Sequence, residues 1–198
     1  MIRCLITDGT SEQDETKWIA HLAAWIEEGV ELLQIREREL SARKLAALTR
    51  KVLLLPNPRG TRILVNDRAD VAMACGAHGV HLRDESVAPE FFAEFFAQPG
   101  FLVTVACHDF ESLLRARGAD YALIAPIFSP LSKRDTKPVL GLGVLGSAAR
   151  ISPIPVLALG GITAENAPLC AAAGAAGVAG ISYFNGLPNP CAPPFALP

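Results

Sequence analysis

Short apolar runs suited to extended backbone alternate with longer stretches of helical period along almost the whole chain, and this alternation constrains the fold more than any single motif. Strand candidates fall at residues 2–7, 30–36, 62–66, 79–82, 102–106, 121–125, 156–159 and 177–181. Between them lie segments such as Glu15–Glu28, which sets Trp18, Ile19, Leu22, Trp25 and Ile26 on one face, and 42–54, which follows Ser41 as an N-cap. Gly29, Gly76, Gly118 and Gly174 each sit just past such a segment, where a left-handed cap favours glycine. Strands alternating with helices build a parallel sheet, and eight βα units predict a (β/α)8 TIM barrel. A doubly wound open sheet is the rival architecture, but no GxGxxG turn follows the first strand and the glycine pairs come last. Residues 185–198 are rich in proline and lack helical periodicity, so the last helix is expected to be missing or irregular. The expected organisation is one barrel domain, 1–184, and a Pro-rich C-terminal tail, 185–198, with a side of the barrel that a second subunit could cover in a homodimer.

Composition removes several function classes. A chain of 198 residues with 51% hydrophobic content suits a single domain with a large core. Its formal net charge of −2, without a run of Lys and Arg, offers no general surface for nucleic acid. No apolar stretch is long enough to span a bilayer and no basic-then-apolar leader precedes Ile2, so a soluble, cytoplasmic protein with no membrane partner is expected. Cys4, Cys75, Cys107, Cys170 and Cys191 are scattered without a CxxC or a His-Cys cluster, which reads as reduced, mostly buried thiols rather than a zinc site.

In a barrel of this kind chemistry gathers where the strands end. Two late segments, Val156-Leu157-Ala158-Leu159-Gly160-Gly161-Ile162-Thr163 and Gly177-Val178-Ala179-Gly180-Ile181-Ser182, begin as apolar strands and end where small residues leave backbone N–H groups uncovered. Together they could cradle one phosphate, which points to a small phosphorylated substrate. The plainer reading of Gly160-Gly161 is a tight turn that needs no ligand.

The earlier strand candidates end in polar residues: Gln34-Ile35-Arg36-Glu37-Arg38, Asn66-Asp67, His81 followed by Asp84-Glu85-Ser86, His108, and Ser129-Pro130-Leu131-Ser132-Lys133. Arg36, Arg38 and Lys133 offer cations to a polyphosphate, and Asp67 with Asp84 or Glu85 could hold magnesium against phosphate oxygens. Strand alternation sends Arg36 and Arg38 to the same side; the competing reading is a solvated ion pair with Glu37. Asp67 could equally be the N-cap of a helix over residues 69–75. His81, between apolar neighbours, reads as a satisfied core histidine or a functional one, whereas His108 directly precedes the helix cap Asp109 and should reach the barrel mouth.

These residues, in their order and register, resemble the thiamine phosphate synthases and their close relatives, the thiazole tautomerases of the TenI type. The resemblance covers nearly the whole chain, from Leu5-Ile6-Thr7-Asp8 through Gln34-Ile35-Arg36-Glu37-Arg38, Val65-Asn66-Asp67-Arg68, Gly79-Val80-His81-Leu82, Gly118-Ala119-Asp120-Tyr121, Pro126-Ile127-Phe128 with Ser132-Lys133, and Leu159-Gly160-Gly161-Ile162-Thr163, to Gly177-Val178-Ala179. It implies a transferase that joins an aminopyrimidine diphosphate to a thiazole phosphate, giving thiamine phosphate and pyrophosphate, with Mg2+ as cofactor. The C–O bond to diphosphate breaks first, and the thiazole nitrogen captures the pyrimidine-stabilised cation. Carried over residue by residue, the resemblance has Gln34, Arg36, Arg38 and Asn66 hold the pyrimidine diphosphate, with Arg36 and Lys133 acting on its leaving diphosphate. Asp67, helped by Glu85, would bind Mg2+; Ser132 stands in the segment that contacts the thiazole phosphate, and Gly160, Gly161, Ile181 and Ser182 would bind its phosphate.

Several residues depart from the family pattern. Leu82-Arg83-Asp84-Glu85-Ser86 replaces Leu-Gly-Gln-Glu-Asp, so Ser86 stands where a second magnesium carboxylate is usual, Asp84 or Glu85 is the available substitute, and Arg83 is an added cation. Ala106 takes the place of a serine that helps bind pyrophosphate, and Ser129-Pro130-Leu131-Ser132-Lys133 carries one hydroxyl fewer than the family's threonine-rich segment. The tautomerase branch, which needs neither diphosphate nor metal, tends to carry the Ile35-Arg36-Glu37-Arg38 form, and there His108 would be the general acid/base. The retained Asn66-Asp67 favours the synthase. A third reading is a non-catalytic precursor-binding or regulatory protein that keeps only the thiazole-phosphate cradle.

Overall fold

The computed structural model describes residues 1–95, 99–129 and 138–185. Eight strands alternate with eight helices: β1 (Ile2–Ile6), α1 (Glu15–Glu28), β2 (Leu32–Ile35), α2 (Ala42–Leu53), β3 (Arg62–Asn66), α3 (Ala69–Cys75), β4 (Gly79–Leu82) and α4 (Pro89–Phe95), then β5 (Leu102–Cys107), α5 (Phe110–Arg115), β6 (Tyr121–Ile124), α6 (Gly141–Ile151), β7 (Val156–Leu159), α7 (Ala167–Ala172), β8 (Gly177–Gly180) and α8 (Ser182–Asn185). Each strand pairs in parallel with the next, and β8 pairs back onto β1 through Ile2↔Gly177 to Leu5↔Gly180, which closes the barrel. That last pairing excludes the open-sheet rival.

The elements form where periodicity places them, and the deviations have local causes. Ser41 caps α2 by accepting from the Lys44 N–H, and Gly29 ends α1 in the left-handed region with its N–H on the Trp25 and Ile26 carbonyls. Gly76 ends α3 in the same way; Gly118 and Gly174 also take positive φ, a little beyond the caps of α5 and α7 at Ala116 and Ala173. Val30, expected at the start of the second strand, instead donates its N–H to the Trp25 carbonyl and finishes the helix end, so β2 begins only at Leu32.

Two apolar layers hold these elements. Cys4, Ile6, Leu32, Leu64, Leu123, Leu157 and Ala179 pack together inside the barrel. Alternate residues, Leu5, Leu33, Ile35, Ile63, Val65 and Val80 among them, face outward onto Trp18, Leu22, Trp25 and Ile26 of α1 and Leu45, Leu48 and Val52 of α2. The expectation of an irregular last helix corresponds to an α8 of four residues. Short as it is, α8 is anchored, because the buried Phe184 ring meets Trp25 edge-on at 5.0 Å. Cys4, Cys107 and Cys170 are free and buried, and burial pushes their thiols up to about 12, 12 and 11. The tail, with Cys191, and the expected site residues Ser132 and Lys133 lie outside the described residues.

Candidate active site

One step beyond the apolar interior, the same inward positions turn polar. Gln34 on β2 is buried and donates from Nε2 to Asn66 Oδ1 on β3 at 2.9 Å. Its Oε1 is also buried and has no hydrogen-bond partner among the described residues. An acceptor left in that condition costs about 1–3 kcal/mol, so a ligand N–H that reaches it is strongly favoured. Asn66 lies opposite His81 in the β3–β4 register. His81 is buried, with Nδ1 2.9 Å from Thr104 Oγ1 on β5. Burial, then the positive charges of Arg36 and Arg38, lower its pKa to about 4. His81 is therefore a satisfied, neutral core histidine.

The Arg-Glu-Arg run after β2 splits by side. Glu37, only 5% exposed, turns toward the loop after β1 and accepts from Thr7 Oγ1 at 2.7 Å, Gly9 N at 3.2 Å, Ser11 N at 3.1 Å and Ser11 Oγ. With its carboxylate saturated this way, the solvated ion-pair reading falls. Arg36 and Arg38 keep their charge for the barrel mouth, and Arg36 is held below the usual guanidinium range by burial first and then by the like charge of Arg38, with Glu37 opposing.

Asp67 does not cap α3. It sits at φ 60, donates its N–H to the His81 carbonyl at 2.7 Å, and the helix begins after Arg68 with no side-chain cap. That left-handed backbone aims its carboxylate across the mouth to the turn after β4. There Oδ2 meets Arg83 Nε at 2.9 Å and Oδ1 accepts from Ser86 Oγ at 3.5 Å. Glu85 is exposed and makes no hydrogen bond or ion pair with the described residues, while Asp84 pairs with Arg115 on α5 at 3.6 Å. A cavity of about 330 Å3 opens here, lined by Glu37, Arg38, Asn66, Asp67, Arg68 and Arg83.

The far half of the mouth is made mainly of backbone. β7 and β8 lie side by side with Leu159 opposite Ala179, so Gly160-Gly161 and Ile181-Ser182 leave the barrel as neighbours. Phe128 N donates to the Gly160 carbonyl at 3.0 Å, and Asn166 Nδ2 to the Gly161 carbonyl at 2.8 Å. Gly161 has φ 62, and a Cβ there would run into the Ser129 carbonyl and Phe128. The tight-turn reading thus accounts for the glycine by itself. His108, at the end of β5, is half-buried, with Nδ1 2.9 Å from the Ala125 carbonyl. Since that carbonyl only accepts, Nδ1 carries the proton and Nε2 is left as the acceptor.

A family described as thiamine monophosphate synthase matches residues 3–184. The chain belongs to that family. A thiamine-phosphate synthase from Roseiflexus sp. is 36% identical over 178 residues, covering 89% of this chain and 75% of that protein. One from Methanoculleus marisnigri is 37% identical over 185 residues, covering 92% and 86%. Among solved structures, thiamine phosphate pyrophosphorylase from Pyrococcus furiosus superposes with a TM-score of 0.80 at 27% identity, over 95% of this chain and 89% of that one. A 3-hexulose-6-phosphate synthase shares the barrel, with a TM-score of 0.73 at 19% identity over 98% and 96% of the two chains.

Against that family background, sequence reasoning passed over two contributions to the mouth. Arg68 lines the cavity and is tied to Asp70 by two hydrogen bonds of 2.8 and 2.6 Å. Glu37 organises the first loop. Thr7 and Ser11, polar and close to the end of β1, were the available hint, because two hydroxyls beside a buried strand end call for an acceptor.

Proposed function

We propose that the chain is a thiamine-phosphate synthase that joins an aminopyrimidine diphosphate to a thiazole phosphate and releases pyrophosphate. One observation carries this reading: the unpartnered, buried Oε1 of Gln34 lies at the base of a mouth whose near side bears Arg36 and Arg38 and whose far side carries the Gly160-Gly161 and Ile181-Ser182 turns. Family membership and the relatives' names support it.

In this course of reaction Gln34 Oε1 accepts from the amino group of the pyrimidine and, with Asn66, sets its orientation. Arg36 and Arg38 lie against the diphosphate, where they stabilise the charge that develops as the C–O bond breaks. Lys133 is assigned to the same task by the family resemblance alone. The turns after β7 and β8 hold the thiazole phosphate so that the ring nitrogen reaches, as a near-attack neighbour, the carbon that the diphosphate leaves. The protein's work is position and fixed charge.

The Mg2+ implied by the resemblance would look to Asp67 and Glu85 for protein oxygens. The donor set does not suit it. Asp67 offers a carboxylate that already carries the Arg83 guanidinium at 2.9 Å, Glu85 makes no contact with it, and Asp84 is turned to Arg115. No step is assigned to a metal here.

The test is product formation. Incubating both precursors with the purified chain should give thiamine phosphate and pyrophosphate in equal amounts. A chain that makes neither product, yet interconverts thiazole carboxylate tautomers and stops doing so as His108→Ala, would overturn the synthase in favour of the tautomerase. The His108 tautomer, with Nε2 as acceptor, is the observation that keeps that second reading in view.

A further inference from the structure

We infer that Arg83 supplies, at the diphosphate site, the positive charge that a divalent cation would otherwise bring, so that this chain binds diphosphate without metal. The inference rests on the diphosphate reading above and adds a residue that reading does not use.

The ion pair of Arg83 with Asp67 is the starting point. Its nitrogen and oxygen are 2.9 Å apart, but the Arg83 side chain is 68% exposed and that of Asp67 27%, so the pair is solvent-screened and cheap to exchange. A diphosphate entering the cavity carries more charge than one carboxylate and offers oxygens spaced for the planar fork of a guanidinium. Arg83 can pass from Asp67 to that ligand by side-chain rotation, because nothing else among the described residues binds it. Another guanidinium, that of Arg38, lines the same 330 Å3 cavity with Asn66 as a neutral donor, while Arg68, also there, is held by Asp70. Of the carboxylates there, Glu37 is spent on the loop after β1, which leaves Asp67 as the partner Arg83 gives up.

The same geometry disfavours a dication. An ion bound at Asp67 would sit against the Arg83 guanidinium, and the hydroxyl that bonds Asp67, Ser86 Oγ at 3.5 Å, carries no charge to offset the repulsion. Magnesium usually takes one or two carboxylates together with phosphate oxygens, and here the Arg83 guanidinium opposes it at either place, beside Asp67 before the anion enters and on the diphosphate afterwards. Arg83 and Ser86 on one turn act together: the first offers the anion a guanidinium, and the second meets Asp67 with a hydroxyl.

The experiment is calorimetric titration of the full chain with inorganic pyrophosphate, in excess Mg2+ and in a chelator, for the wild type, R83Q and R83Q/S86D. Because Arg83 is exposed, R83Q should keep the far-UV spectrum and melting temperature of the wild type. Wild-type affinity in chelator should lie within about threefold of that in Mg2+, and R83Q should lose about tenfold or more in chelator, the effect of removing one charge-assisted contact. R83Q/S86D, with the guanidinium gone and a second carboxylate facing Asp67, should bind pyrophosphate only when Mg2+ is present. Wild-type binding that collapses in chelator, or R83Q binding as the wild type does there, overturns the role of Arg83 while leaving the diphosphate site standing. Absence of pyrophosphate binding in both buffers overturns the diphosphate reading itself, and this inference with it.

Discussion

The two halves of the barrel mouth are built from different materials. Around β2, β3 and β4 the surface consists of charged and amide side chains: Gln34, Arg36, Arg38, Asn66, Asp67 and Arg83. Around β7 and β8 it consists of backbone turns, at Gly160-Gly161, which packs against the loop after β6, and at Ile181-Ser182. A side-chain surface can be retuned by one substitution without moving the chain. A backbone surface cannot, because each glycine there is demanded by a neighbour that would also have to move. Two of the departures from the family pattern noted in the sequence, Arg83 and Ser86, lie on the side-chain half, while the late glycines are kept.

Four experiments press on that contrast, in order of expected effect. Arg36→Ala removes a fixed charge from the side-chain half and should lower kcat/KM for thiamine phosphate formation by about 100- to 1000-fold with an unchanged far-UV spectrum. Turnover near the wild-type value would take Arg36 out of the diphosphate site. Gly161→Leu attacks the backbone half and should cost stability as well as affinity, by about 3 kcal/mol in urea unfolding, since overpacking adds to left-handed strain. A variant as stable as the wild type would erase the distinction between the halves.

A third experiment uses pH as a probe of the side-chain half. His81 has its pKa lowered from 6.5 to about 4, chiefly by burial and then by Arg36 and Arg38. The unfolded chain therefore takes up a proton at a pH where the folded chain does not, and stability should fall as pH drops from 6.5 toward 4, by on the order of 3 kcal/mol. His81→Gln should flatten that part of the curve. Bound pyrophosphate should neutralise Arg36 and Arg38 and raise the His81 pKa, which the imidazole resonances would report; an unmoved pKa would separate the arginines from the ligand. The smallest effect is expected for Ser182→Ala, a loss of about threefold to tenfold in thiazole-phosphate affinity, because backbone donors remain. A larger loss would mean that the far half also relies on side chains.

Much of the barrel is legible in the sequence because its information is periodic and local. Glu15–Glu28 is a helix on the strength of one apolar face and a terminal glycine, and Gly79–Leu82 a strand on four residues bounded by turns. The candidate site is legible only in part. Gln34 and Asn66 are found because they occupy inward positions of regular strands, which fixes where they point. Asp67 defeats such reasoning: an N-cap and a ligand share the same residue type, and only the sign of its φ decides between them. Arg83 and Ser86 are visible as unusual residues, but their common partner belongs to another strand end, so the contact exists only once β3 and β4 are in register.

The burial of Glu37 carries a mechanical consequence. Its carboxylate is pinned by Thr7, Gly9 and Ser11 while its two chain neighbours carry the guanidiniums of the mouth. The first loop and the cation pair are thereby bolted into one unit. Any displacement of residues 7–11 is transmitted to Arg36 and Arg38 through Glu37 and through the bond from the Arg36 N–H to Thr7 Oγ1, so a change well outside the pocket can retune its grip on an anion.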